Sequence, residues 1–549
     1  MGPNKKHINT NDSDVFLGDQ DYAEDSRLEL PIRSHSMRIL IALMILVFAL
    51  FSFKLFNLQI VEGQAYQEQS EENRLQHSVI LAERGLIYDI HGEELVWNED
   101  SKEQREYPER IYKDIDGLGH VLGYARPPAK DSSGFYYRDS FEGVSGSETE
   151  FDELLKGSNG RKIVETNAQG SITSENLIQS TIPGENITLT VDAELNGKLH
   201  ESLKMIIDQV GYNGGASVIM DVETGDILAL TSFPEIKSNI LFSGTDEKTI
   251  DGYATDPLNP YLNRAIEGAY TPGSIIKPFL AVAALEEEII GEWTNILSTG
   301  QLTIPNPYFP DKPSIFRDWK AHGLVDMREA LAVSSNVYFY VIGGGYKDQE
   351  GLGIKRINSY SRLFGFGLPT EIQLGAESRG VVPNPEWKRE NFDGEDWRLG
   401  DTYHTSIGQY GYLVTPIQMV RATSVIANGG TLVTPRITTN VSVKKTKLDM
   451  QSEHLSVVRQ GMKLAVEDGT ARGLNYSNIQ FGAKTGTAEV GTTKGFVNSW
   501  VIGFFPYEDP QYAFATVLEH GPSKNLIGAT AAMRNFFDWA QYERPELFE

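Results

Sequence analysis

Cysteine is absent from the 549 residues. That excludes disulfides, a thiol nucleophile and Cys-type zinc sites, and leaves every redox compartment open. Basic residues are scarce: 49 lysines and arginines stand against 75 acids, a formal charge of -26. Nucleic-acid-binding proteins carry a basic footprint, so no nucleic-acid partner is expected. No internal repeat stands out, and the length is a prior for several domain-sized units, enough for a sizeable core. Long apolar runs are nearly absent too, since only Ile39 to Phe56 qualifies.

That run holds 18 residues with Lys54 as its one charge. As a helix it reaches ~27 Å, close to the hydrocarbon thickness of a bilayer, and Lys54 can snorkel to the far interface. A signal peptide is the rival reading, with Gly63-Gln64-Ala65 as a passable cleavage site. An uncleaved anchor is favoured, because the 36 residues ahead of Met37 are too long and too acidic for a signal's n-region. Residues 1–36, with Asp12, Asp14, Asp19, Asp21, Glu24 and Asp25, are expected to be a disordered cytoplasmic tail, and 37–59 a single transmembrane anchor. Arg33 and Arg38 set the N-terminus inside, although Lys54 blunts the asymmetry.

Three short motifs carry the chemistry. Ser274-Ile275-Ile276-Lys277, Ser334-Ser335-Asn336 and Lys484-Thr485-Gly486-Thr487 follow one another as do the S-x-x-K, S-x-N and K-T-G boxes of active-site serine acyltransferases. A serine hydroxyl is a poor nucleophile near neutral pH and needs an adjacent base. Residues three apart share a helix face. If Ser274 opens a helix after Thr271-Pro272-Gly273, Lys277 therefore lies one turn along, beneath the hydroxyl. The alanine-rich run Pro278 to Leu285 makes that helix a buried one. Burial and a second cation both lower a lysine's pKa, and Lys484 is the candidate cation. Ser334 is suited to pass a proton to a leaving amine, and Asn336 to hold a peptide carbonyl. Lys484, Thr485, Gly486 and Thr487 suit an extended edge strand that receives a substrate carboxylate. The backbone N–H groups of Ser274 and Thr487 form the expected oxyanion hole. Each box alone is weak: Ser274 reads equally as a helix cap before a solvated lysine, and Ser334-Ser335-Asn336 as a cap before Val337 to Ile342. Their joint order decides for catalysis.

Periodicity predicts an α+β architecture. Gln64 to Gln76 reads as a helical stalk, and Ser78 to Tyr88 and Arg161 to Glu165 as strands. A linker at Ser180 to Gly184 precedes an alternating strand from Asn186 to Val191. Ala216 to Met220 and Ile227 to Thr231 form a hairpin across Glu223-Thr224-Gly225-Asp226. Phe496 to Phe504 and Tyr512 to Leu518 form another across Tyr507-Glu508-Asp509-Pro510. Helical stretches lie between them, giving an antiparallel sheet with a large helical insertion. Pro305 to Pro313 reads as a loop walling the cleft.

The chain resembles the class B penicillin-binding proteins from about residue 37 to about residue 540. Gly268 to Ser274 is similar to the family's G-x-Y-x-P-G-S approach to the nucleophile, and Gly482 to Glu489 to its third box with flanks. Arg84-Gly85-Leu86-Ile87-Tyr88-Asp89 and Gly143-Val144-Ser145-Gly146-Ser147-Glu148 resemble motifs of its non-catalytic pedestal. Ile90-His91 departs from the usual Arg-Asn, and Ser335-Asn336 from the Cys-Asp of many elongation-type members. The short stretch from Asn98 to Gly143 implies a reduced pedestal head. Pro385-Glu386-Trp387-Lys388, Ser406-Ile407-Gly408-Gln409 and Val414-Thr415-Pro416 resemble elongation-type elements, and His322-Gly323 is similar to their G-H-G approach. Tyr410, inserted before Gly411, departs from their G-Q-G spelling.

The resemblance implies a β-rich pedestal over 60–183 and a serine β-lactamase-like transpeptidase domain over 184–549. It implies cross-linking of peptidoglycan stem peptides ending in D-Ala-D-Ala, covalent inhibition by β-lactams, and a SEDS-family glycan polymerase as membrane partner. No metal or other cofactor is implied, and the catalytic domain is expected outside the cell membrane. A division-type transpeptidase, a β-lactamase or D,D-carboxypeptidase, and a β-lactam sensor are the alternatives. His322 with Asp318 makes too small a set for a metal, so both are read as structural. Glu371-Ile372-Gln373-Leu374-Gly375 is similar to the E-x-x-L-N box of class A β-lactamases. Gly375 replaces its asparagine, so the segment is read as scaffold. Trp387, Lys388 and Trp397 border the cleft or pack beside it.

Overall fold

In a computed structural model of the chain, the described residues are 34–64, 66, 75–101, 106–132, 136–166, 172–306, 309, 311–491 and 495–549. Most of the acidic tail and of the expected stalk lies outside them. The chain divides into two compact units, Met1–His77 with Ile163–Glu175, and Ser78–Lys162 with Asn176–Glu549.

In the first unit, the apolar run forms the helix Ser34–Phe56, which continues as the π-type turn Asn57–Val61. The stretch His35–Val61 has 27 residues and a mean hydropathy of 2.7, long and apolar enough to cross a membrane. Among the described residues none of this stretch is buried, as befits a helix whose solvent is lipid.

The second unit begins with pedestal elements. Ile187–Thr188, Ile87–Tyr88, Glu94–Glu99 and Glu109–Tyr112 form a sheet in that spatial order. The expected strand from Ser78 to Tyr88 is interrupted, leaving Leu75–Ile80 and Ile87–Tyr88. At the break, a Cβ on Gly85 would lie 2.0 Å from Glu185 O, and Gly85 N–H donates to Leu155 O rather than to a ladder. Arg84 turns inward there. Its Nε meets Glu148 at 2.7 Å, Arg110 Nε meets the other Glu148 oxygen at 2.8 Å, and all three side chains are buried. The two pedestal motifs are therefore halves of one buried ion cluster. A hairpin of Ala129–Lys130 and Tyr136–Arg138 occupies the short stretch before Gly143.

The expected strand from Asn186 to Val191 shrinks to Ile187–Thr188, because its backbone bonds are shared among several neighbours. Leu189 N–H donates to Tyr88 O and Thr190 N–H to Ile437 O.

Both predicted hairpins are present and build a five-stranded antiparallel sheet. Its strands are β1 (Gly214–Asp221), β2 (Ile227–Phe233), β3 (Gly482–Val490), β4 (Phe496–Phe505) and β5 (Tyr512–Pro522), in the order β2-β1-β5-β4-β3. Alternate side chains feed two cores, as the period of a strand requires. Val218, Met220, Trp500, Ile502 and Phe504 join the helix Lys277–Glu286 and the helix Pro416–Ala427. Ile219, Val501, Phe505 and Phe514 join Ala193–Val210 and Ala529–Glu543. With both faces covered, β1, β2, β4 and β5 are mostly apolar, whereas the edge strand β3 carries Lys484, Thr485, Thr487 and Glu489.

Candidate active site

The nucleophile turn is held from three sides. Tyr270 and Val414 exchange backbone hydrogen bonds of 2.9 Å, Gly273 N–H donates to Gly408 O at 3.0 Å, and Trp500 Nε1 donates to Thr271 O at 3.1 Å. Gly408 has φ of 73°, and a Cβ on it would fall 2.2 Å from Gly273 O. The S-I-G-Q and V-T-P elements thus fasten the approach to Ser274, a role that sequence reasoning did not assign to them. Ser274 lies in a 3-10 turn, Gly273–Ile276, and the α-helix proper starts at Lys277 with Pro278 in its first turn. From Pro272 to Leu285, Ser274 alone is not buried. A half-exposed serine on an otherwise packed turn has the fixed backbone that a nucleophile would need.

Lys277, three positions after Ser274, is fully buried. Its Nζ donates to Ser334 O at 2.8 Å and Asn336 Oδ1 at 2.7 Å, and lies 3.5 Å from Ser334 Oγ. Lys484, also fully buried, donates to Ser334 Oγ at 2.9 Å and to Thr485 O at 2.8 Å. First and third boxes therefore meet on the second. Burial pushes Lys277 down to about 7, against an upward pull from Asp318. Lys484 is held well below the usual lysine range, by burial first and the Lys277 charge second. Burial, rather than the neighbouring cation, is thus the main cause for Lys277, and the like-charge effect falls on Lys484.

Ser334 has φ of 59°, the left-handed region. A non-glycine residue held there costs of order 1 kcal/mol or more, and such strain collects at functional sites. Ser335 is the structural partner in the box: its hydroxyl caps the helix Asn336–Gly344 by accepting from Tyr338 N–H. The capping reading of this motif thus falls to Ser335, while Ser334 takes the lysine contacts.

The third box lies on β3, an edge strand as expected. Lys484 and Gly486 point to one face and are buried, whereas Thr487 is exposed and Thr485 half-buried. Thr485 Oγ1 bonds Thr470 Oγ1 at 2.7 Å, a partner with no signal in the sequence. A Cβ on Gly486 would lie 2.9 Å from both Ile275 Cγ2 and Pro272 O, and one on Gly273 would lie 3.1 Å from Thr487 O. The two glycines let the nucleophile turn and the edge strand touch, which brings the Ser274 backbone beside that of Thr487.

Other candidates are placed differently. Trp387 and Trp397 pack edge-on against Tyr410, and Phe392 stacks on it, while buried Lys388 bonds Asp401 at 2.7 Å. Glu371 is exposed, beside Lys444. Glu377 ties the segment down by accepting from Thr370 N–H, Thr370 Oγ1 and Glu371 N–H. Among the described residues no group of three or more histidine or acidic side chains is arranged to hold a metal.

Residues 215–538 match the family described as Penicillin binding protein transpeptidase domain, and residues 103–189 the Penicillin-binding Protein dimerisation domain. The chain is 30% identical over 443 residues to the peptidoglycan D,D-transpeptidase MrdA of Acinetobacter baumannii, covering 75% of this chain and 63% of that one. It therefore spans somewhat less than two thirds of that relative's length. Against MrdA of Escherichia coli it is 26% identical, covering 88% of this chain and 90% of that one. A solved complex between a penicillin-binding protein (PBP2) and MreC from Helicobacter pylori superposes with a TM-score of 0.71 at 26% identity, covering 86% of this chain and 99% of that one. The meeting of the first and third boxes on the second agrees with these matches: the chain belongs to the penicillin-binding protein transpeptidases, as a PBP2-like class B member.

Proposed function

We propose that the protein is a serine D,D-transpeptidase that cross-links peptidoglycan stem peptides during cell elongation. The observation that carries this reading is the meeting of two buried lysines on Ser334 Oγ, one of them Lys277, three positions after the half-exposed Ser274. Ser274 Oγ attacks the carbonyl of the penultimate D-Ala, and its proton passes to Lys277, which burial keeps available as an amine. The C–N bond to the terminal D-Ala breaks, Ser334 relays a proton to that amine, and the donor peptide remains as an ester on Ser274. An amine of a neighbouring stem then attacks the ester. A new C–N bond forms and the Ser274 hydroxyl is restored, so atoms balance without a cofactor. Asn336 holds the donor's peptide carbonyl. Lys484, Thr485 and Thr487 receive its carboxylate, Gly486 allows the close approach, and the N–H groups of Ser274 and Thr487 polarise the reacting carbonyl. A β-lactam enters the same path and stalls, because its leaving group stays tethered.

The elongation role is supported by the likeness to proteins named MrdA and PBP2. The exposed Glu371 counts against a hydrolase of the class A β-lactamase type. The anchor passes the membrane once, with the N-terminus cytoplasmic and the catalytic unit outside. A SEDS-family glycan polymerase is engaged through Ile39 to Phe56 and the pedestal around Arg84 to Leu95. Intact mass after incubation with a penicillin tests the chemistry: one adduct on the wild type and none on Ser274→Ala is expected, and an adduct mapped elsewhere overturns the site. Depletion in the native cells tests the pathway. Rounding supports elongation, and filaments with blocked septa point to division.

A further inference from the structure

A fully buried carboxylate outside the three boxes touches the second of them. Asp318 Oδ2 accepts from the Ser335 hydroxyl at 2.8 Å, Val337 N–H at 3.0 Å and the Ser298 hydroxyl at 3.2 Å. Its Oδ1 accepts from Trp319 N–H at 2.9 Å. Lys277 grips the same turn through Ser334 O and Asn336 Oδ1. Residues 334 to 337 are thus held alternately, two by a buried cation and two by a buried anion. The left-handed Ser334 starts this alternation, sending its hydroxyl to the lysines while Ser335 turns to Asp318.

Charge points the same way. Lys277 and Lys484, both fully buried, flank one hydroxyl, and two ammonium groups so buried repel strongly. A neighbouring buried carboxylate favours a state with one of the pair protonated and the other free to act as base. The coupling is mutual: Asp318 favours the charged form of Lys277, and Lys277 helps hold Asp318 below the usual carboxylate range.

We propose that Asp318 is a positioning residue of the acyl transfer, pinning the second box opposite Lys277 and supplying a buried negative charge that balances the lysine pair. It touches no substrate and acts through Ser335, Val337 and Lys277. The other titratable groups facing this pair are Lys484 on β3, His322 and Lys320 on the loop after Asp318, and Tyr340 on the capped helix. Burial holds His322, with Nε2 3.7 Å from Asp318 Oδ1, below the usual imidazole range and so neutral near neutral pH. Tyr340, raised by burial, stays a neutral phenol.

The inference rests on the serine acyl-transfer reading, and the test separates the two. The rate constant for acylation of the full-length protein by a fluorescent penicillin is measured from about pH 5 to about pH 9. Wild type that is not acylated would sink the acyl-transfer reading itself. With wild type active, Asp318→Asn removes the charge that favours protonated Lys277. The acid limb of the profile is then expected to move down by about one pH unit, with a plateau lowered about tenfold. An unmoved midpoint, whatever the plateau, overturns the proposal, since a merely structural residue changes the height of the profile and not its position. If Asp318→Asn does not fold, Asp318→Ser, which also removes the charge, is measured in the same way: a midpoint moved down supports the proposal, and an unmoved midpoint overturns it.

Discussion

Alanine at position 486 tests how closely the nucleophile turn must approach the edge strand. The new Cβ would lie 2.9 Å from Ile275 Cγ2, 2.9 Å from Pro272 O and 3.3 Å from Ile275 N. Ile275 is fully buried and has little room to turn. Pro272 O belongs to the backbone that carries Ser274, so relief requires turn and strand to part by about half an ångström. Overpacking of this kind destabilises by about 1–3 kcal/mol. The chemical effect comes from the changed relation of Ser274 to the backbone of Thr487. A misplacement of ~1 Å costs ~100-fold, so half of it predicts roughly a tenfold loss in acylation rate, or about 1.4 kcal/mol of transition-state stabilisation. The assay is the acylation rate constant of Gly486→Ala with a fluorescent penicillin, alongside its thermal unfolding. Gly252→Ala serves as control, because a Cβ there meets nothing within 4 Å. Wild-type acylation by Gly486→Ala with unchanged unfolding would refute the close-approach argument.

Lys277→Ala should abolish acylation while the chain still folds, and a near-normal rate would assign the proton to another base. Because Lys277 sits near 7 folded and at 10.5 as a free side chain, the unfolded chain binds more protons between those values. Its contribution to stability therefore improves as pH rises through that window; Lys277→Met should flatten that part of the stability curve, as denaturant melts at several pH values would reveal. Glu148→Gln leaves buried Arg110 without its counter-charge and Arg84 with Asp152 alone, and should cost about 3–5 kcal/mol; a loss below about 1 kcal/mol in a urea titration would contradict the ion-cluster account. Protease added outside cells with permeable envelopes should cleave within 186–540, and full protection there would reverse the proposed orientation.

The parts legible in the sequence are those whose physics is local. Lys277 follows Ser274 by three positions because one helical turn brings side chains to a common face. Both hairpins of the central sheet show as short, largely apolar runs flanking turn residues, and the anchor as a long apolar stretch. Where a segment's partners are distant, the same reasoning fell short. The strand expected from Asn186 to Val191 shortened because its backbone bonds go to Tyr88 and Ile437, and no pattern within six residues names those acceptors.

The three boxes and their order, the apolar anchor and the paired strand runs of the sheet were determined by the sequence itself, since spacing and polarity suffice to express them. The tertiary structure alone decided that Lys484 reaches Ser334 across 150 positions, that Arg84 and Glu148 join two pedestal motifs, that Gly408 seats against Gly273, and that Asp318 grips the second box. These are contacts of closure. They arise when sheet and helices pack to exclude water, and then every buried charge and every close backbone approach must find a partner that no local periodicity encodes.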